Sequence, residues 1–233
     1  MTVSQPFHLL GRGETTDGTS QYITLESIST NYASLYFVFS GWIDHSGGGA
    51  TNIGQGQWVQ GPTIQMQGAW PGGDNAAAAS YRSGQMAQYD SNTNINLAMG
   101  DNIFGGTSYT VSPNWGGIGR QWYPSGTIYA ERMRFQVEFW CIQPRDNQIK
   151  NLIWLGGAAN SDSASYMSNM WVGNTHLCGQ TSTSAPTAMG PMNSIRIGAG
   201  CDNAGTAKKF GSYSTFSAYG MGNTDQVNTG NDP

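Results

Sequence analysis

The sequence predicts one nearly all-β domain in which two antiparallel sheets pack face to face, with long loops rich in Gly and aromatic residues. Three observations lead there. Short β-prone runs recur along the chain, no segment of helical length carries a 3.6-residue apolar period, and Gly, Asn, Ser and Pro cluster between the runs. At 233 residues the chain is long for a single domain. All-β sandwiches nevertheless reach roughly 200–250 residues. No Pro-rich or charged linker divides it, so residues 1–219 read as one sandwich and 220–233 as a polar tail. Such a tail has little means of ordering itself and is expected to be held by neighbouring subunits.

Taken in order, Tyr22-Ile23-Thr24-Leu25 is a short strand between Gly18 and a polar stretch. Leu35 to Phe39 is a continuous apolar run leading into Trp42-Ile43, and it reads as a strand covered on both faces. Thr63 to Gln67 and Asn94 to Met99 alternate polar with apolar, the pattern of half-buried strands. The clearest stretch is Arg132 to Ile142. Met133, Phe135, Val137, Phe139 and Cys141 fall on one face, and Arg134, Gln136, Glu138 and Trp140 on the other. Pro144-Arg145-Asp146-Asn147 supplies turn chemistry, and Ile149 to Leu155 returns as the second arm of a hairpin. Ser194 to Ala199 is a further strand, and Phe210 to Tyr219 reads as the last. Asp44–Gln57, Gly68–Ser80 and Asp101–Gly126 read as loops. Loops beyond about 12–15 residues are usually functional or flexible.

Composition narrows the partners. Charged residues make up 10% of the chain, aromatics 12%, and the formal net charge is −4. Phosphate recognition needs clustered Lys and Arg, and only Lys208-Lys209 are adjacent, so neither nucleic acid nor an anionic membrane is an expected partner. No apolar run approaches the ~20 residues of a membrane-spanning helix. Residues 1–6 lack the basic and apolar regions of a secretory signal. Three cysteines, Cys141, Cys178 and Cys201, cannot all pair within one chain, which suits folding in a reducing cytoplasm.

Two pairs of segments carry a family likeness. Asp17-Gly18-Thr19-Ser20-Gln21-Tyr22-Ile23-Thr24-Leu25 and Phe37-Val38-Phe39-Ser40-Gly41-Trp42-Ile43 lie near the start. Ile195-Arg196-Ile197-Gly198-Ala199-Gly200 and the Phe210-Gly211 pair running on to Tyr219 lie near the end. Together they resemble the opening and closing strands of laminin-G-like members of the concanavalin A-like lectin/glucanase superfamily. Thr215 stands where that family's last strand often carries an acidic residue. The resemblance implies a jelly-roll sandwich, a scaffold for carbohydrate or protein binding that is frequent in viral surface proteins.

No catalytic motif stands out. Glycoside hydrolysis needs two carboxyl groups flanking the scissile bond. None of Glu14, Glu26, Glu131 and Glu138 has an acidic residue two positions on, and Glu138 reads as a surface carboxylate opposite an apolar face. His176 and Cys178 make a His-x-Cys spacing, without the paired short spacings of structural zinc. No Gly-x-Ser-x-Gly elbow or nucleotide-binding glycine motif is present. The resemblance to laminin-G-like domains implies calcium at the sandwich rim, where Asp44, Asp101, Asn102, Asp202 and Asn203, read as loop residues, offer hard oxygen ligands. The same residues are good turn formers, and that reading takes precedence.

Trp70, Tyr109, Trp115, Trp122 and Tyr123 are the candidate site residues, for subunit interfaces first and glycans second. Aromatic rings stack on sugars, but they are also enriched where proteins meet. A low charge favours self-packing, because burying an unpaired charge is costly. The expectation is a non-enzymatic virion structural protein of a bacteriophage head surface or tail, made in the host cytoplasm. It would assemble with itself and with other virion proteins. A carbohydrate-binding adhesin is the alternative, and a glycoside hydrolase stands behind both.

Overall fold

A computed structural model describes residues 7–29, 31–44, 58–60, 63–68, 80–89, 95–100, 116–117, 120–122, 132–142, 144, 150–160, 167–178, 192–199 and 209–222. These residues contain strands and turns and no helix. The strands are β1 (Phe7–Glu14), β2 (Tyr22–Leu25), β3 (Ser34–Asp44), β4 (Trp58–Gln60) and β5 (Thr63–Gly68). Next come β6 (Ser80–Tyr89), β7 (Ile95–Gly100), β8 (Gly116–Gly117), β9 (Arg120–Trp122) and β10 (Arg132–Ile142). The chain continues through β11 (Lys150–Asn160), β12 (Met167–Cys178), β13 (Met192–Gly198), β14 (Lys209–Phe210) and β15 (Thr215–Met221).

The large sheet runs β1-β15-β3-β10-β11-β12-β6-β7, with β14 also paired to β3. A smaller sheet runs β2-β13-β5-β8, and β4 pairs with β9. Every described pairing is antiparallel. The all-β, antiparallel class expected from the sequence is therefore observed.

The β10–β11 hairpin forms as expected, with Cys141 opposite Leu152, and β11 continues to Asn160. Phe135, Val137, Phe139 and Cys141 are buried, while Arg134 and Gln136 are exposed. The inward positions of β3 supply Leu35, Phe37, Phe39 and Ile43 to the same core. Phe216 stacks on Phe37 at 5.9 Å between centroids and meets Phe139 edge-on at 6.2 Å. Ile23, Leu25, Ile64, Ile195 and Ile197 of the smaller sheet belong to this cluster. Burying each such side chain is worth about 1.5–3 kcal/mol.

Several expectations need correction. Leu35 to Phe39 is not covered on both faces, since Tyr36 and Val38 are only half-buried. Phe210 to Tyr219 is not one strand, because residues 211–214 turn between β14 and β15. Tyr213 there has a φ of 65°. Residues 101–126 are not all loop, because β8 and β9 fall within them. Asp44 is the last residue of β3 rather than a loop residue, opposite Arg132 of β10 and Lys209 of β14. β15 also carries the chain two residues past 219. The strands β1, β6 and β12 escaped the sequence reading because Gly and polar residues break their apolar alternation.

The segments that carry the family likeness converge. The amide of Phe210 donates to the Ser20 carbonyl (2.8 Å), and that of Gly211 to the Trp42 carbonyl (2.8 Å). Ile197 stands opposite Ile23. Asp17 caps its own turn by accepting the Thr19 amide at 3.0 Å, and this bond holds its carboxyl below the usual range. Gly18 has a φ of 68°, a conformation that L side chains rarely adopt.

Candidate functional site

Of the aromatic residues singled out from the sequence, Trp70, Tyr109, Trp115 and Tyr123 lie outside the described residues. Trp122 ends β9 opposite Trp58 of β4, so it sits on a strand rather than in a loop. Asp101 and Asp202 also lie outside the described residues, while Asp44 is flanked in register by two basic residues. Among the described residues no three His, Cys, Asp or Glu side chains gather as a metal site.

The described structure instead draws attention to the face of the large sheet that points away from the core. Successive side chains on a strand point to opposite faces, so directly paired residues form transverse rows. One row reads Leu9, Tyr219, Tyr36, Trp140 and Ile153 across β1, β15, β3, β10 and β11. Four inter-strand gaps make it about 19 Å long. It carries no charge, and Leu9 and Ile153 are 61% and 40% exposed. Tyr36 is its centre, with ring centroids 5.3 Å from Trp140, 6.0 Å from Tyr219 and 5.5 Å from Phe7. The Tyr36 hydroxyl donates to the Glu138 carboxylate. Partial burial first, and then that bonded carboxylate, push the phenol up to about 12.

The next row along the strands contains Val38, Glu138, Leu155 and Val172, and the one after it Ser40, Gln136, Gly157 and Met170. Here the face sinks into a broad depression of about 790 Å³. Its cause lies in β11, where Leu155 is followed by Gly156-Gly157-Ala158-Ala159. Gly157 has no side chain to fill the position beside Gln136, so the floor is low there. Arg134, Gln136 and Glu138 line the depression from β10, with Leu155 and Met170 opposite. Glu138 is the single carboxylate among its described lining residues.

The remaining rim is the turn between β14 and β15. The Trp42 ring lies over Gly211, in the space that a side chain at 211 would need. Its Nε1 donates to the Ser212 carbonyl at 3.2 Å. Ser214 is fully buried beneath, accepting the Trp42 amide at 3.2 Å and donating to the Gly211 carbonyl at 2.8 Å. The Tyr213 amide donates to the Thr15 carbonyl at 2.6 Å. Tyr213 itself is 76% exposed and lines the depression.

The alternating face of Arg134 to Trp140 was legible in the sequence. The rows were not, because they depend on the register of strands far apart in the chain. No family model matches the chain, and no curated protein sequence matches it.

Proposed function

We propose that this chain is a virion structural protein, of the kind that decorates a bacteriophage head or tail. On this reading it is a jelly-roll, concanavalin A-like β-sandwich that acts by self-assembly and surface binding. The observation that supports the reading is the uncharged row Leu9, Tyr219, Tyr36, Trp140 and Ile153, left open on the outer face. Exposed apolar patches of this kind mark association surfaces. The occupant is a second copy of the chain. Two copies of net charge −4 repel over most of their surface, and a neutral aromatic row lets them meet without burying unpaired charge. A row about 19 Å long supplies the anchoring centre of such an interface, while a stable contact needs about 800 Å² per partner. Neighbouring surface and the tail would provide the rest.

Light scattering and electron microscopy of the purified chain at micromolar concentration test this reading. Symmetric oligomers are expected. A Trp140→Glu, Ile153→Asp double variant should dissociate them at least about tenfold more readily, as loss of central aromatic anchors does elsewhere. A monodisperse wild-type monomer would overturn the proposal.

A further inference from the structure

The face of the smaller sheet that points away from the core is a separate surface, and we infer that it docks an acidic partner protein through one aspartate or glutamate side chain. Ile195 and Ile197 of β13 belong to the shared core, so Arg196 between them points outward. Arg196 stands opposite Thr24 of β2 on one side and Gln65 of β5 on the other. The four strands of this sheet, β2, β13, β5 and β8, contain one charged residue, and it is Arg196. On a chain of net charge −4, these strands therefore offer a lone cation, which is complementary to an acidic surface.

Two contacts hold the guanidinium ready. Its Nε donates to the Thr24 hydroxyl at 2.9 Å, and its central carbon lies 4.5 Å from the centroid of the Tyr22 ring. Tyr22 stands opposite Gly198, so Arg196 reaches the ring diagonally, past a position with no side chain of its own. The stacking and the Nε bond fix the plane of the fork before any partner arrives, and neither contact neutralises its charge. Among the described residues the one ion pair joins Arg12 to Glu14 on the large sheet, so Arg196 has no described carboxylate partner. Its two terminal nitrogens match the two oxygens of a single carboxylate. Tyr22 is 48% exposed, and a Tyr–Arg pair at a surface is the chemistry from which binding anchors are built. A phosphate backbone is the poorer fit, since it calls for several clustered cations. A second copy docked here by two-fold symmetry would bring Arg196 towards its own counterpart, charge against like charge. The aromatic row lies on the large sheet, facing away from the same core, so a copy seated there leaves this face open.

Fluorescence anisotropy of rhodamine-labelled hexaglutamate, titrated with the full chain at low ionic strength, tests the inference. Saturable binding is expected, with labelled hexaglutamine about tenfold weaker or more. Arg196→Lys keeps the charge but loses the planar fork, and should weaken hexaglutamate about fivefold or more. Thr24→Val removes the Nε partner while leaving the guanidinium, and should weaken it about twofold or more. Arg12→Gln, on the large sheet, should bind as the wild type does. The inference is overturned if hexaglutamate does not bind, if hexaglutamine binds equally well, if neither Arg196→Lys nor Thr24→Val weakens it, or if Arg12→Gln reproduces the loss. Light scattering of Arg196→Gln should show the wild-type oligomers. Their dissociation would assign the carboxylate to a second copy and overturn the assignment to a separate acidic partner. A wild-type monomer that binds hexaglutamate would overturn self-assembly and support this inference, so either proposal can fail without the other.

Discussion

Ser214→Ala isolates the clasp that fastens the closing turn to β3 and to the segment before β2. The Ser214 hydroxyl is fully buried, accepts the Trp42 amide at 3.2 Å and donates to the Gly211 carbonyl at 2.8 Å. Removing it deletes two hydrogen bonds, each worth a net ~1 kcal/mol, and adds a desolvation penalty where the Trp42 amide loses this acceptor. The Gly211 carbonyl is spared part of that penalty, because the Thr15 hydroxyl also donates to it at 2.5 Å. The expected loss is about 3 kcal/mol. For a chain of this size that lowers Tm by roughly 6–12 °C. Urea unfolding followed by far-UV circular dichroism at neutral pH reads it directly. The clasp further predicts non-additivity with Thr15→Val. Either single variant leaves Gly211 O one hydroxyl donor, whereas the double variant leaves only the Ser214 amide at 3.3 Å. The double variant should therefore lose about 0.5–1 kcal/mol more than the sum. A single-variant loss under about 0.5 kcal/mol, or strict additivity, would refute this account of the clasp.

Two further predictions concern the core and the aromatic row. Trp154, fully buried and opposite Phe139, is the largest wholly buried side chain described, and Trp154→Ala should cost about 3–5 kcal/mol by thermal or urea unfolding. The raised ionisation of Tyr36 sets a pH dependence with a definite sign. Its phenol ionises near 10 in the unfolded chain and is pushed up to about 12 in the fold. The neutral form favoured by the fold contributes fully below pH 10, and stability falls as pH rises from 10 towards 12. Glu138→Gln should move the Tyr36 midpoint part of the way back, since burial is the larger cause. The ultraviolet titration difference between each protein and its Tyr36→Phe partner measures that midpoint, and an unmoved midpoint would contradict the assigned bond.

Much of the scaffold was legible because strand patterning is local. Phe135, Val137, Phe139 and Cys141 alternate with Arg134, Gln136, Glu138 and Trp140 within one segment, so a two-residue period fixes two faces without knowledge of the neighbours. Tyr22 to Leu25 was equally plain, a β-branched and aromatic run bounded by turn residues. β12 was not, because Met167 to Cys178 mixes Asn, Gly and Thr into both faces and carries no clean period. The candidate site was legible only in parts. Arg134, Gln136, Glu138 and Trp140 appeared as an outward face, but with no hint of which end would be apolar and which hollow.

The sequence by itself determined that the described chain is built of strands and which residues of its clearest strand turn inward. Tertiary structure decided the rest. The row Leu9, Tyr219, Tyr36, Trp140 and Ile153 draws its members from opposite ends of the chain, and a one-residue slip of any strand would turn that member inward. The depression likewise needs Gly157 of β11 set beside Gln136 of β10, and Tyr213 brought to the rim by a turn tied to Trp42 and Thr15. Register and turn geometry come from contacts between residues distant in the chain, and a local pattern carries no information about them.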